Sequence, residues 1–191
     1  MAEPYFQFKK FRVYHNSCGF KVGTDGVLLG AWAPVRGGDD ILDIGTGSGL
    51  IALMLAQRAK DATVDAIDIN DYAAHQAASN FAKSPFSNIR AHRSTVANWA
   101  AGSKRYDLVV CNPPFFMNAP EPKSQSLKVA KHCVSLSPSD LFKHVKTLLK
   151  PGGRFALIFP KLEYDNFCGA AKEYNFYPKD VLDVSPLPNY P

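Results

Sequence analysis

The chain has little cysteine, and nothing groups what it has. Cys18, Cys111, Cys133 and Cys168 are widely scattered, with no Cys-x-x-Cys spacing. That argues against a disulfide framework or a thiolate metal site and fits a reducing cytoplasm. The histidines, His15, His75, His92, His132 and His144, show no ligand spacing either, so no metal is expected. Residues 1–10 are polar and aromatic rather than charged and then apolar, and no long apolar run follows. Neither a signal peptide nor a membrane span is expected. Repeats and low-complexity tracts are missing too. Acids are the minority, 17 Asp and Glu against 22 Lys and Arg, giving a net charge of +5 that favours a polyanionic partner.

What is present suits one globular domain: 191 residues, 46% hydrophobic, enough for a substantial core. Residues 5–14 are aromatic and partly alternating, which predicts a short strand before a turn at His15-Asn16-Ser17. Its Lys9, Lys10 and Arg12 suit either a solvated edge or an RNA-contacting one. Thr24 or Asp25 is placed to cap a short helix running to Trp32, leaving free N–H groups and polar side chains at its start.

From Ile41 the pattern is α/β. Strands are expected at Ile41–Ile44, Thr63–Ile67, Ile89–Arg93, Tyr106–Cys111, Phe155–Phe159 and Val181–Val184. Between them lie helical patterns: Leu50 to Ala59, apolar nearly all round, and a second capped by Asn70 or Asp71 that carries Ala73, Ala74, Ala77, Ala78 and Phe81 before Ser84-Pro85. Ser139 or Asp140 is expected to cap a third, with Leu141, Phe142, Val145, Leu148 and Leu149 inward and Lys143, Lys146 and Lys150 in solvent, ending at Pro151-Gly152-Gly153. A last helix spans Lys161 to Tyr174, and residues 117–135, without a clear period, read as a mobile loop. Alternating strands and helices predict a mostly parallel sheet covered on both faces. Ligands of such sheets sit at the carboxyl ends of the strands.

Three segments fall at such ends. Gly45-Thr46-Gly47-Ser48-Gly49 is a tight loop after the first α/β strand, and Asp68 closes the second. Asn112-Pro113-Pro114-Phe115 follows the fourth, joining a carboxamide, a rigid turn and an aromatic plate, a clamp for a planar amide-like group. Glycines there let backbone approach a ligand, and the acid suits ribose hydroxyls. Position 50 is Leu where the dinucleotide fingerprint needs glycine, and Asp43 would repel a pyrophosphate. Near a sulfonium or α-ammonium group Asp43 is attractive, so the pattern selects S-adenosylmethionine. Asp43 and Asp68 could also serve only as caps of loop and helix. Thr95-Val96, after the third strand, offers either a cofactor contact or a plain turn, and Cys111 reads as a buried, inert thiol.

The glycine loop with Asp43, Asp68 and Asn112-Pro113-Pro114-Phe115 resembles the Rossmann-like class I methyltransferases that act on nitrogen of adenine or of an amide. Phe8-Lys9-Lys10-Phe11, the run from Lys21 to Trp32 and Ala52–Arg58 narrow the resemblance to the bacterial tRNA(Val) adenine-N6-methyltransferase family. It implies cofactor contacts from Thr24, Asp25, Asp43, Gly45, Thr46 and Gly47. Asp68, Ile69, Thr95, Val96 and Asn112 complete that set. It implies catalysis by Asn112 and Pro113, whose oxygens accept the two amino hydrogens, with Phe115 stacked on the base. The implied partner is tRNA, methylated at the adenosine beside the anticodon, in the cytoplasm. Residues 1–36 are expected to form an extension packed on a methyltransferase domain at 37–191. Thr95 stands where relatives often carry an acid. The family's final antiparallel strand has no counterpart here, which predicts an exposed sheet edge that invites self-association. Three other readings stay open: protein glutamine N-methylation, a non-catalytic cofactor- and RNA-binding module, and a nicotinamide oxidoreductase.

Overall fold

The computed structural model describes residues 4–15, 22–113 and 136–185. Five strands form one parallel sheet: β3 (Asp40–Ile44), β4 (Thr63–Asp68), β5 (Ile89–Arg93), β6 (Tyr106–Cys111) and β7 (Leu149–Leu157), in the order β5-β4-β3-β6-β7. A separate antiparallel hairpin, β1 (Tyr5–Gln7) with β2 (Arg12–Tyr14), precedes them. The helices are α1 (Thr24–Trp32), α2 (Leu50–Arg58), α3 (Asp71–Ala82), α4 (Val96–Ala100), α5 (Pro138–Leu148) and α6 (Tyr164–Glu173). Among the described residues no helix is long and apolar enough to cross a membrane.

The central strands are apolar because both of their faces are covered. Ile41, Val64, Leu108 and Val110 pack with α2 and α3 on one face. Leu42, Ile67 and Val109 pack with α5 and α6 on the other. Helix α2 buries Leu50, Ile51, Ala52, Leu53, Leu55 and Ala56 because α1 covers its outer side. There Gly30 leaves room for Met54, whose Sδ would stand 2.7 Å from an added Cβ. In α3, Ala73, Ala74, Ala77 and Phe81 face inward and Ala78 outward.

Several local expectations are corrected. The segment 5–14 is not one strand: the chain folds back between Phe8 and Phe11, pairing Tyr5 with Tyr14, Phe6 with Val13 and Gln7 with Arg12. Thr24 and Asp25 are helical residues of α1, and the cap position falls to Gly23, which has no side chain to offer. Helix α3 is capped by Asn70, which accepts from Ala73 N, while Asp71 lies in its first turn. Helix α5 starts earlier than expected: Ser137 accepts from Asp140 N, and Pro138 takes the first helical position, where its missing N–H is harmless. The last helix begins as a 3₁₀ turn, Lys161–Glu163.

Pro151-Gly152-Gly153 does not end an element but lies inside β7. The edge strand bulges there, with Gly152 at φ +75, and the register jumps from Leu149 opposite Tyr106 to Arg154 opposite Leu108. Lys150 therefore stands on a strand rather than on a solvated helix face, and its Nζ meets Asp40 at 2.7 Å and Asp107 at 2.8 Å. Lys143 and Lys146 are exposed as expected. Val181–Val184 forms no strand; its residues are exposed coil. The loop expected at 117–135 lies outside the described residues.

Candidate active site

The glycine loop leaves β3 and turns into α2. Gly45 N and Thr46 N both donate to Ile67 O, at 2.9 and 3.0 Å, so β4 holds the turn. Gly45 and Gly47 adopt φ +70 and +57, and a Cβ on either would meet nothing within 4 Å. Backbone conformation and open space together make this a cradle into which a ligand can descend to main-chain distance. Gly49 serves packing instead, since a Cβ there would stand 2.4 Å from Phe81 Cε1.

Two carboxylates flank the cradle. Asp68, at the end of β4, accepts from Gly47 N through Oδ2 and from Asn70 N through Oδ1, both at 2.9 Å. It therefore ties the loop to α3 and keeps lone pairs for a further donor. Asp43 is wholly buried at the base of the loop; Thr46 Oγ1 donates to its Oδ2 at 2.7 Å. Its Oδ1 has no hydrogen-bond partner among the described residues. Burial pushes the Asp43 carboxyl up to about 7, against the pull of hydrogen bonding from Thr46 and from the Ala52 backbone, and the nearby Asp68 charge adds to the rise. Burial likewise pushes the Cys111 thiol up, so Cys111 is an inert core residue as expected.

Asn112 and Pro113 follow β6, whose Cys111 pairs with Ile44 of β3. The carboxamide therefore emerges beside the start of the glycine loop. Helix α1 closes in on it: a Cβ on Gly26 would stand 3.9 Å from Asn112 Nδ2 and 3.0 Å from Leu50 Cδ2. Thr24 and Asp25 are exposed at the start of that helix. Pro114 and Phe115 lie outside the described residues.

The far side of the crevice is built by β4 and β5. Ser94 N donates to Asp68 O at 2.9 Å. Beyond it a 320 Å³ depression is lined by Ile69, Arg93, Ser94, Thr95 and Asn98, with Ile69 43% exposed despite being apolar. Thr95 is more than a plain turn residue, because its Oγ1 accepts from Asn98 N and caps α4, a helix not foreseen from the sequence. The Val96 side chain packs into the core. Among the described residues no three metal-ligating side chains converge.

Sequence reading missed two residues that shape this site. Gly26 is one. The other is Asn80, fully buried, which accepts from Tyr14 N at 3.1 Å and donates to Tyr14 O and Ser48 O, both at 2.8 Å. The available signal was a polar residue on the apolar stripe of α3, between Ala77 and Phe81.

A glycine turn after one strand, an acid after the next and Asn-Pro at the neighbouring strand end, on a doubly wound parallel sheet, define a Rossmann-like class I methyltransferase. Residues 23–167 match the family model of the methyltransferase small domain. The chain is 46% identical over 193 residues to tRNA1(Val) (adenine(37)-N6)-methyltransferase of Parabacteroides distasonis, spanning all of this chain and 81% of that protein. It is 43% identical over 199 residues to the protein of that name from Trichodesmium erythraeum, spanning all of this chain and 82% of the other. The chain therefore belongs to the methyltransferase small-domain family and, within it, to the tRNA1(Val) (adenine(37)-N6)-methyltransferases. Among solved structures it is similar to ribosomal protein L11 methylase of Lactobacillus delbrueckii subsp. bulgaricus, with TM-score 0.63 and 20% identity over 89% of this chain and 78% of that one. It is also similar to TrmN of Thermus thermophilus, with TM-score 0.53 and 28% identity over 69% of this chain and 36% of the other. The first of these likenesses shows the fold alone.

Proposed function

We propose that this protein transfers a methyl group from S-adenosylmethionine to the exocyclic amino nitrogen of an adenosine in tRNA, the one 3′ of the anticodon in tRNA(Val). The observation that carries the reading is the placement of Asn112-Pro113 beside the glycine cradle, on adjacent strand ends, in a chain of this family.

The residues present fit the cofactor. The open space over Gly45 and Gly47 admits a ligand to the backbone, and the buried Asp43 carboxyl at the base of the loop places an acid beneath it. Asp68 has acceptor capacity for ribose hydroxyls, and Ile69 offers an exposed apolar surface beside Thr95 for a purine ring. Gly45, Thr46, Gly47 and the Asn112 region complete the cradle, with Thr24 and Asp25 exposed at the start of α1, whereas the core-packed Val96 has no side chain to offer it. When bound, S-adenosylmethionine supplies an electrophilic methyl group on a sulfonium.

The protein's own part is to make a poor nucleophile better. The lone pair of an adenine amino group is delocalised into the ring. Asn112 Oδ1 and the Pro113 carbonyl accept its two hydrogens, which favours a more tetrahedral nitrogen and orients the lone pair. Alignment then provides much of the acceleration. No strong base is required, because the nitrogen becomes acidic as it is methylated. The target base must leave its stack, which is inexpensive in an anticodon loop. Phe115 is the candidate stacking partner.

The test is mass spectrometry of tRNA nucleosides after incubation with the protein and S-adenosylmethionine. N6-methyladenosine should accumulate. Label appearing in peptide glutamine instead, or tRNA that binds yet never gains a methyl group, would overturn the assignment.

A further inference from the structure

The β1–β2 hairpin pairs only with itself among the described strands, so the parallel sheet does not require it. It packs inward through Val13, fully buried, and Phe11, which meets Phe86 at 6.0 Å between ring centroids. The other face looks outward. Along it the cross-strand pair Tyr5 and Tyr14 brings two rings to a centroid separation of 5.5 Å. The Arg12 guanidinium sits 5.1 Å from the Tyr5 ring centre. From the end of α3, Lys83 brings its Nζ to 4.3 Å from the Tyr14 ring. Lys9 and Lys10 are exposed at the turn, and residues 4–15 contain no acid.

We propose that this face docks single-stranded RNA flanking the target adenosine, with a base stacking on Tyr5, which Tyr14 supports from behind, and phosphates meeting Arg12, Lys83 and the turn lysines. The inference rests on the tRNA reading above. The charge of the strip is complementary to a phosphate backbone; Tyr5, 45% exposed, offers a ring beside a cation, as sequence-tolerant binding of unpaired bases needs, while the half-buried Tyr14 backs it. A platform of this kind is also tied to the reaction. Asn80 holds the Tyr14 backbone with two hydrogen bonds and the Ser48 carbonyl of the glycine loop with a third, so the hairpin and the cofactor cradle share one buried anchor. The competing account gives these cations only the task of keeping a hairpin edge soluble. It predicts no effect of their removal on RNA.

The experiment measures the affinity of tRNA across a salt series for the full chain, for the double variant R12Q/K83Q and for Y5A. S-adenosylhomocysteine affinity and melting temperature serve as controls. The double variant should bind tRNA about tenfold or more weakly, with the slope of log affinity against log salt shallower by about one to two. Y5A should lose about fivefold or more without changing the slope, as expected for a stacked base. Affinity for S-adenosylhomocysteine should hold in all of them. If Arg12 proves necessary for folding through its 2.5 Å hydrogen bond to Gln7, K83Q alone, outside the hairpin, gives the same readout at half the change in slope. Wild-type affinity and slope in the variants, with tRNA still methylated, would overturn the platform and leave the function standing. A wild-type protein that neither binds nor methylates tRNA would overturn both.

Discussion

Asn112 works with a side chain that never ionises, so its contribution is one of placement. Its carboxamide is held between Gly26 and the end of β6, and in the proposed reaction it meets the substrate nitrogen rather than the buried base of the cradle. Asn112→Ala should leave cofactor binding nearly intact and cut turnover by about 10²-fold or more, the scale of one lost transition-state hydrogen bond. Near-normal turnover in that variant would sink the clamp. Asp43 behaves oppositely, because its charge is the variable. Its carboxyl lies at about 7 instead of the ordinary 3.8, so between those values the folded state holds a proton that the unfolded chain has released. Stability is thus greater on the acid side, and the burial penalty grows as pH rises, reaching its full size above about 7. A cationic ligand favours the ionised form. Affinity for the sulfonium S-adenosylmethionine should therefore fall as pH drops below about 7, by up to about tenfold per unit. Asp43→Asn should flatten that profile, weaken binding and raise the melting temperature at pH 8. Titration calorimetry across pH checks it, and an unchanged slope in the variant would count against the role.

At the scale of elements, the start of β7 depends on charge more than on pairing. Its bulge interrupts the ladder with β6, and Arg154 spans the gap. Its Nη2 donates to both oxygens of Asp39 at 2.7 Å and its Nη1 to Pro34 O, with Asp39 itself nearly buried. Removing one partner of such a pair strands the other. Arg154→Ala should cost about 3 kcal/mol or more, a fall in Tm of roughly 6–12 °C for a chain of this size. Methylation at low temperature should persist, since the pair lies at the opposite strand ends from the site; a melting temperature within 2 °C of wild type would refute this. The same strand shows where the sequence was silent. β3, β4, β5 and β6 were legible because burial and bounding turns mark strands locally, and the placement of Asp43, Asp68 and Asn112 at strand ends was legible because they stand where those runs stop. Pro151-Gly152-Gly153 reads as a stop, and only pairing with β6 overrides it. Asn80 and Gly26 earn their roles through partners 24 to 86 positions away, and no local pattern encodes those distances.

For the molecule as a whole, association in solution turns on the edges of the sheet. One rim is β5, whose Arg90 and Arg93 are exposed and discourage pairing with another chain. The other is β7, bonded only to β6 among the described strands. Pro151 lacks a donor and Lys150 and Arg154 are charged, which blunts the first half of that rim. Phe155, Ala156 and Leu157 have no such protection. The strand expected at Val181–Val184 does not form, and Val181, Leu182 and Val184 stand 64%, 54% and 53% exposed. A rim unpaired among the described residues and solvated apolar residues elsewhere on the surface favour weak association. Light scattering over a concentration series should therefore show a mass rising above the monomer. Leu182→Lys with Val184→Lys should return it toward the monomer without altering S-adenosylhomocysteine binding, because these residues lie on coil beyond α6 and none lines the cradle. A mass fixed at the monomer throughout the series would mean that the unpaired rim of β7 is too short and too charged to template a second copy.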